Sequence, residues 1–163
     1  YNYNIEKNFL GKDDGKVQYE NKAYSWRIEL PGYWVKNSLM DTNTQSFSNY
    51  STGAIIGVEA VENNDQSKGL DDTAKFRLMQ YATANSVRFL GVENLRDKGT
   101  NVKLYRFRME KEDEDMYADL KLYTLSKGNF SYCYLSAIPD VCTSEKNVKE
   151  MQEIWNSFDP SEK

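Results

Sequence analysis

Few side chains in this 163-residue sequence are of a type and spacing that does chemistry, and none is a histidine. That removes the commonest general base, the commonest metal ligand and the base of every Ser-His or Cys-His nucleophile. Cys133 and Cys142 lie nine positions apart. In an oxidising compartment they could close a short loop containing Pro139, or they could stand as two packed free thiols; spacing alone leaves both open. Cys142 falls near the start of a predicted helix, where a thiolate is stabilised, but no imidazole is available to activate it. Carboxylates are abundant, 25 in all, yet no two are singled out for the divided acid and base roles that two-carboxylate chemistry needs. The expectation is a protein with no catalytic residue, no metal site and no cofactor.

The remaining polar clusters read as binding surface or as ordinary structure. Arg106 and Arg108 share one face of a predicted strand and could receive an anionic ligand, or could pair across the hairpin with Asp119 and Glu110. Glu112 to Asp115 are consecutive acids without a glycine to bend them around a cation, which suits a solvated hairpin tip better than a calcium loop. Asp71-Asp72 suits a helix N-terminus, where carboxylates accept bonds from free amides and oppose the helix dipole. Tyr33-Trp34 could stack on a sugar or a partner, although a Trp directly after a core strand is expected to be buried. Tyr1, Tyr3, Tyr19, Tyr50, Tyr123 and Tyr132 suit a protein-binding surface, since tyrosine is enriched at interfaces. The candidate binding surface is accordingly Tyr33, Tyr50, Arg106 and Arg108.

The elements that must position these residues follow from hydrophobic period. Tyr24, Trp26, Ile28 and Leu30 alternate with Ser25, Arg27 and Glu29, a strand with one buried face that ends at Pro31-Gly32. Residues 36 to 45 read as loop, and Phe47 and Tyr50 suggest a weak strand. Ala54 to Glu62 is apolar on both faces and reads as a central strand. From Asp71 or Asp72 to about Leu90, Phe76, Met79, Thr83, Val87 and Leu90 recur at spacings of three and four, predicting a helix stopped by Gly91. Val92–Asp97 and Asn101–Glu110 flank a hairpin turn, Asp97-Lys98-Gly99-Thr100. In the second of these, Tyr105, Phe107 and Met109 oppose Arg106, Arg108 and Glu110. Strands Met116–Leu125 and Phe130–Ile138 follow. Thr143 or Ser144 then caps a closing helix with Val148, Met151, Trp155 and Phe158 on its buried stripe. Sequential strands with few helices predict an α+β domain over residues 17–159, with residues 1–16 a lead-in or linker.

Composition narrows the class further. Lys plus Arg is 21 against 25 acids, a formal net charge of −4, which argues against nucleic acid as a partner. Three Trp, 12 Tyr and 7 Phe supply bulk for a core in a chain that is only 39% hydrophobic. No apolar run is long enough to cross a bilayer. The chain begins at Tyr1 rather than Met, so an N-terminal signal or anchor is expected to have been removed, and membrane contact is expected only through such an anchor.

Three features together carry a resemblance: the aromatic strand Tyr24–Leu30 closed by Pro31-Gly32-Tyr33-Trp34, a single helix between the third strand and the hairpin meander, and a closing helix ending Ile154-Trp155-Asn156-Ser157-Phe158. In this order they resemble the PsbP/Mog1-like superfamily over roughly residues 17 to 159. That group includes photosystem II accessory proteins, a Ran-binding nuclear transport factor and bacterial envelope lipoproteins of unknown role. The resemblance implies a central antiparallel sheet of six or seven strands with helices packed on its faces, and a binding or accessory role rather than catalysis. It carries over no catalytic residue, and the lack of histidine departs from any member that uses one on a metal. Asn- and Lys-rich, Pro-poor usage suggests a low-GC bacterium. The expectation is an extracytoplasmic, envelope-anchored or secreted domain with an envelope protein as partner. The alternative is a small-ligand or polysaccharide-binding module using exposed aromatics.

Overall fold

The computed structural model describes residues 15–37, 43–63 and 87–161. Nine strands and one helix are defined there. The strands are β1 (Lys16–Asn21), β2 (Trp26–Pro31), β3 (Val35–Lys36), β4 (Thr44–Asn49), β5 (Ala54–Glu62), β6 (Val87–Asp97), β7 (Thr100–Lys111), β8 (Met116–Lys127) and β9 (Phe130–Pro139); the helix is α1 (Glu145–Ser157). β1 and β2 form an antiparallel hairpin, and the other seven strands form one antiparallel sheet in the order β3-β4-β5-β9-β8-β7-β6. The meander from β6 to β9 is the one that the turn signal at Asp97–Thr100 and the expected strands Met116–Leu125 and Phe130–Ile138 predict.

Period two does the sorting. On one sheet face Phe47, Ile56, Val58, Tyr132, Tyr134, Tyr123, Leu125, Val102 and Leu104 are buried beneath the β1–β2 hairpin and α1, together with Trp26, Ile28, Leu30, Ile154, Trp155 and Phe158. On the other face Tyr105, Phe107, Met109, Leu120, Leu122 and Cys133 form a second buried cluster with Val87. β8 and β9 are therefore apolar on both faces, as central strands of a covered sheet must be. Ser144 caps α1 by accepting from the Asn147 amide.

The hairpin is tied to the end of the helix. Arg27 and Asp159 exchange both backbone bonds and add an ion pair at 2.8 Å. The Ser157 hydroxyl bridges the backbone N–H and C=O of Glu29, each at 3.0 Å.

Three expectations are revised. Residues 87–90 belong to β6 and not to the end of a helix; Gly91, at φ +153°, marks a β-bulge instead of a helix stop. The rest of that predicted helix, with Asp71-Asp72, Phe76, Met79 and Thr83, lies outside the described residues, so among the described residues one helix packs on the sheet. Val148 is 48% exposed, and Ile154, absent from the predicted stripe, is buried in its place.

Candidate functional site

α1 lies across the sheet and divides the candidate residues between its two flanks. At 100° per residue, Glu150, Glu153, Ile154 and Ser157 face the hairpin side, while Val148, Met151, Gln152 and Trp155 face the β8 side. Tyr33 belongs to the first flank. Its turn is closed by the Trp34 amide on Pro31 O at 3.0 Å, and its hydroxyl donates to Glu150 Oε1. Trp34 beneath it is 3% exposed, as its place after a core strand predicts. Tyr33 is thus a half-buried strut for α1, not an open platform. Tyr50 stands on the β4–β5 turn, 75% exposed.

The arginines belong to the second flank. Arg108 sits opposite Asp119 in the β7–β8 register and pairs with it at 3.0 Å. Its guanidinium also grips both oxygens of Asp140, Nη1 to Oδ1 at 2.6 Å. These bonds hold the Asp140 carboxyl below the ordinary range and raise the Arg108 pKa still higher. Arg106 pairs with Glu93 on β6 at 3.3 Å, while Glu110 takes Arg88 at 3.4 Å. The expected Glu110 pairing is therefore displaced to the neighbouring strand, because β6 runs alongside β7 as far as Val87. The acidic tip Glu112–Glu114 is a single exposed 3-10 turn, with Lys111 pairing to Glu114 at 3.1 Å.

Cys133 and Cys142 carry free thiols, the first buried and the second half-buried. From Cys133 to Pro139 the strand is extended over about 20 Å. Three more residues bring the chain back by at most about 10 Å, which leaves the α-carbons beyond the roughly 7 Å a disulfide spans. The bridge is corrected to the alternative of two free thiols.

Between the second flank of α1 and strands β8 and β9 lies a cavity of about 240 Å³. Its sheet side carries Lys121, Tyr123, Ser136 and Ile138; its helix side carries Val148, Met151, Gln152 and Trp155; Asp119 and Asp140 lie at its rim with Thr143. Tyr123 stacks on Trp155 with centroids 4.0 Å apart and an interplanar angle of 14°. Burial raises the Tyr123 pKa. Burial, aided by Arg106, lowers that of Lys121, although Asp119 and Glu93 oppose the shift.

Beyond the far end of the cavity, Trp155 Nε1 donates to Asp97 at 3.0 Å and Lys98 Nζ donates to Trp155 O at 2.6 Å. The β6–β7 turn is thereby fastened to the helix. Sequence reasoning did not single out Lys121, Asp140 or Lys98. The signal for Lys121 was present: period two places it with Asp119 and Tyr123 on the β8 face opposite Leu120 and Leu122.

No protein-family model matches the sequence, and no curated protein matches it. Solved structures do. Cyanobacterial PsbP from Synechocystis is similar with a TM-score of 0.66 at 11% identity, over 91% of this chain and 94% of that one. The Ran-binding protein Mog1p of Saccharomyces cerevisiae has a TM-score of 0.58 at 10% identity, over 91% and 96%. A Bacteroides thetaiotaomicron structure has 0.62 at 12% over 91% of this chain, which spans only 49% of that one's length. At such identities the likeness concerns the backbone, and it assigns the chain the PsbP/Mog1-like fold that its order of elements resembles.

Proposed function

We propose that this chain is a non-catalytic binding or accessory domain of an exported or membrane-anchored bacterial protein, and that it binds another protein of the cell envelope along the β8 flank of α1. The observation that carries the reading is the composition of that flank. Val148 (48% exposed) lines this flank with Met151 and Ile138, next to the charged row Arg106, Lys121, Asp119 and Asp140, and Val141, which follows Asp140 in the chain, is 92% exposed. Apolar side chains edged by charge are what a protein interface presents. One structure that shares the fold is described as Ran-binding, which supports a protein as the occupant. The absence of histidine supports a non-catalytic role, as does the pairing of Asp119 and Asp140 on one guanidinium.

The alternative, a polysaccharide module, has little to stand on. Trp26, Trp34 and Trp155 are each 3% exposed and offer no stacking surface.

The test is amine crosslinking of the tagged full-length gene product in the bacterium that carries it, followed by fractionation. A discrete adduct of fixed mass in the envelope fraction is expected. A product confined to the cytoplasm, or one giving no adduct, would contradict the proposal.

A further inference from the structure

We propose that Lys121, Tyr123 and Ser136 form a subsite for a carboxylate carried on an aliphatic group about the size of one amino-acid residue, belonging to the partner polypeptide. The proposal rests on the partner-binding reading above and names the chemistry that the cleft selects.

The three side chains converge. Lys121 and Ser136 are register partners on β8 and β9, and Tyr123 is two residues along the same face of β8. All three line the 240 Å³ cavity. Each brings an N–H or O–H donor; among the described residues none of the three side chains has a hydrogen-bond or ion-pair partner, and Asp119 and Glu93 are the acidic groups whose charge acts on Lys121.

The fold pairs two comparable groups elsewhere, although it leaves the buried Tyr134 hydroxyl unpaired among the described residues. Lys98 is desolvated to a similar degree and gives its ammonium to Trp155 O at 2.6 Å. The buried Tyr132 gives its hydroxyl to Tyr24 O, also at 2.6 Å. A buried donor without an acceptor is destabilising. Lys121 and Ser136 are half-buried and Tyr123 is buried, and three unpaired donors facing one cavity suit an acceptor that a ligand brings.

An ammonium and two hydroxyls match a carboxylate, whose two oxygens accept about four hydrogen bonds, while the Gln152 amide on the helix side already donates to Asn156. The other walls, Ile138, Val148, Met151 and the edge of Trp155, are apolar and suit an aliphatic group. Arg108 already holds Asp119 and Asp140 at the rim and leaves one negative charge in surplus there. That surplus disfavours a doubly charged phosphate and is tolerated by a single carboxylate. The cavity is smaller than the roughly 300 Å³ at which drug-sized pockets begin, which limits the occupant to one residue.

The experiment is an NMR titration of the protein with N-acetyl-L-leucine, N-acetyl-L-leucinamide and the α-amide of N-acetyl-L-glutamic acid, following the methyl signals of Ile138, Val148 and Met151. At least one of the acids should give saturable shifts confined to these methyls, with the uncharged leucinamide at least tenfold weaker. A response to the leucine acid marks a chain terminus as the source, and a response to the glutamate derivative alone marks a side chain. Lys121→Met should weaken binding at least tenfold. Tyr123→Phe, which keeps the ring stacked on Trp155, should weaken it severalfold with ring-shifted core signals unchanged. No saturable shift, an equal response to leucinamide, or a Lys121→Met protein that binds as before would overturn the subsite. Loss of the acid response while the envelope adduct persists would sink this inference and leave the partner-binding reading standing. The reverse pattern would do the opposite.

Discussion

Glu150 holds its carboxylate in a half-buried corner between α1, the Tyr33 turn and Asn49. Burial raises its pKa, and Glu153 one turn of α1 away adds to the rise. The folded protein therefore binds this proton more tightly than the unfolded chain, whose glutamate titrates near about 4.3. The sign follows: stability is lost as pH rises from about 4 through the folded value, and above it the whole cost of ionising Glu150 is present. Glu150→Gln keeps an acceptor for the Tyr33 hydroxyl and removes the charge. Its melting temperature at pH 7 should exceed that of the parent by about 1–3 °C, and the gap should close as the pH falls to about 4. A gap that widens in acid would contradict the assignment. Asp140 has the opposite sign, since Arg108 lowers its pKa, so its contribution is present at neutral pH and lost in acid. At this scale the sequence was partly legible. Arg108 and Asp119 follow from counting along a hairpin. Asp140 does not, because it is 32 residues from Arg108 and reaches it only through the turn that follows β9.

The elements were read best where period and punctuation agree. The β6–β7 turn has Lys98 and Gly99 at φ 54° and 74°, the two left-handed residues of a type I′ hairpin. Glycine there was legible; a lysine there is not explained by turn chemistry. Its reason is tertiary: the ammonium lies 4.2 Å from the centre of the Trp155 ring and donates to the carbonyl of the same residue near the helix C-terminus. Lys98→Asn supplies a better turn residue and removes the fastening. It should destabilise by about 1–2 kcal/mol, lowering the melting temperature by about 3–6 °C. An unchanged or raised melting temperature would show that the turn governs and the fastening does not. Gly91 illustrates the opposite failure: glycine ends helices and makes bulges alike, and the residues before it fit either period. β1 and β3 lack alternation and are strands only because β2 and β4 lie beside them.

The molecule as a whole divides its work between the two sides of one helix. On the hairpin flank α1 is tied down by Tyr33–Glu150, Ser157–Glu29 and Arg27–Asp159, beside a polar surface depression of about 730 Å³ lined by Arg27, Glu29 and Ser157. The β8 flank keeps an apolar-walled cavity, the Lys121 ammonium, which is unpaired among the described residues, and the exposed Val148. This asymmetry separates the expected surface residues: Tyr33 is structural, while Arg106 and Arg108 border the open flank. Sequence alone could place these residues on strands and turns. It could not say which flank stays open, because that depends on where α1 crosses the sheet. The most direct measurement is photocrosslinking in the native bacterium, with a light-activated residue placed in turn at Val148 and at Lys22, on the β1–β2 turn away from the cavity. The account predicts a discrete adduct from Val148, its loss on adding Lys121→Glu, and none from Lys22. Equal adducts from both positions, or one from Val148 that is indifferent to Lys121→Glu, would contradict it.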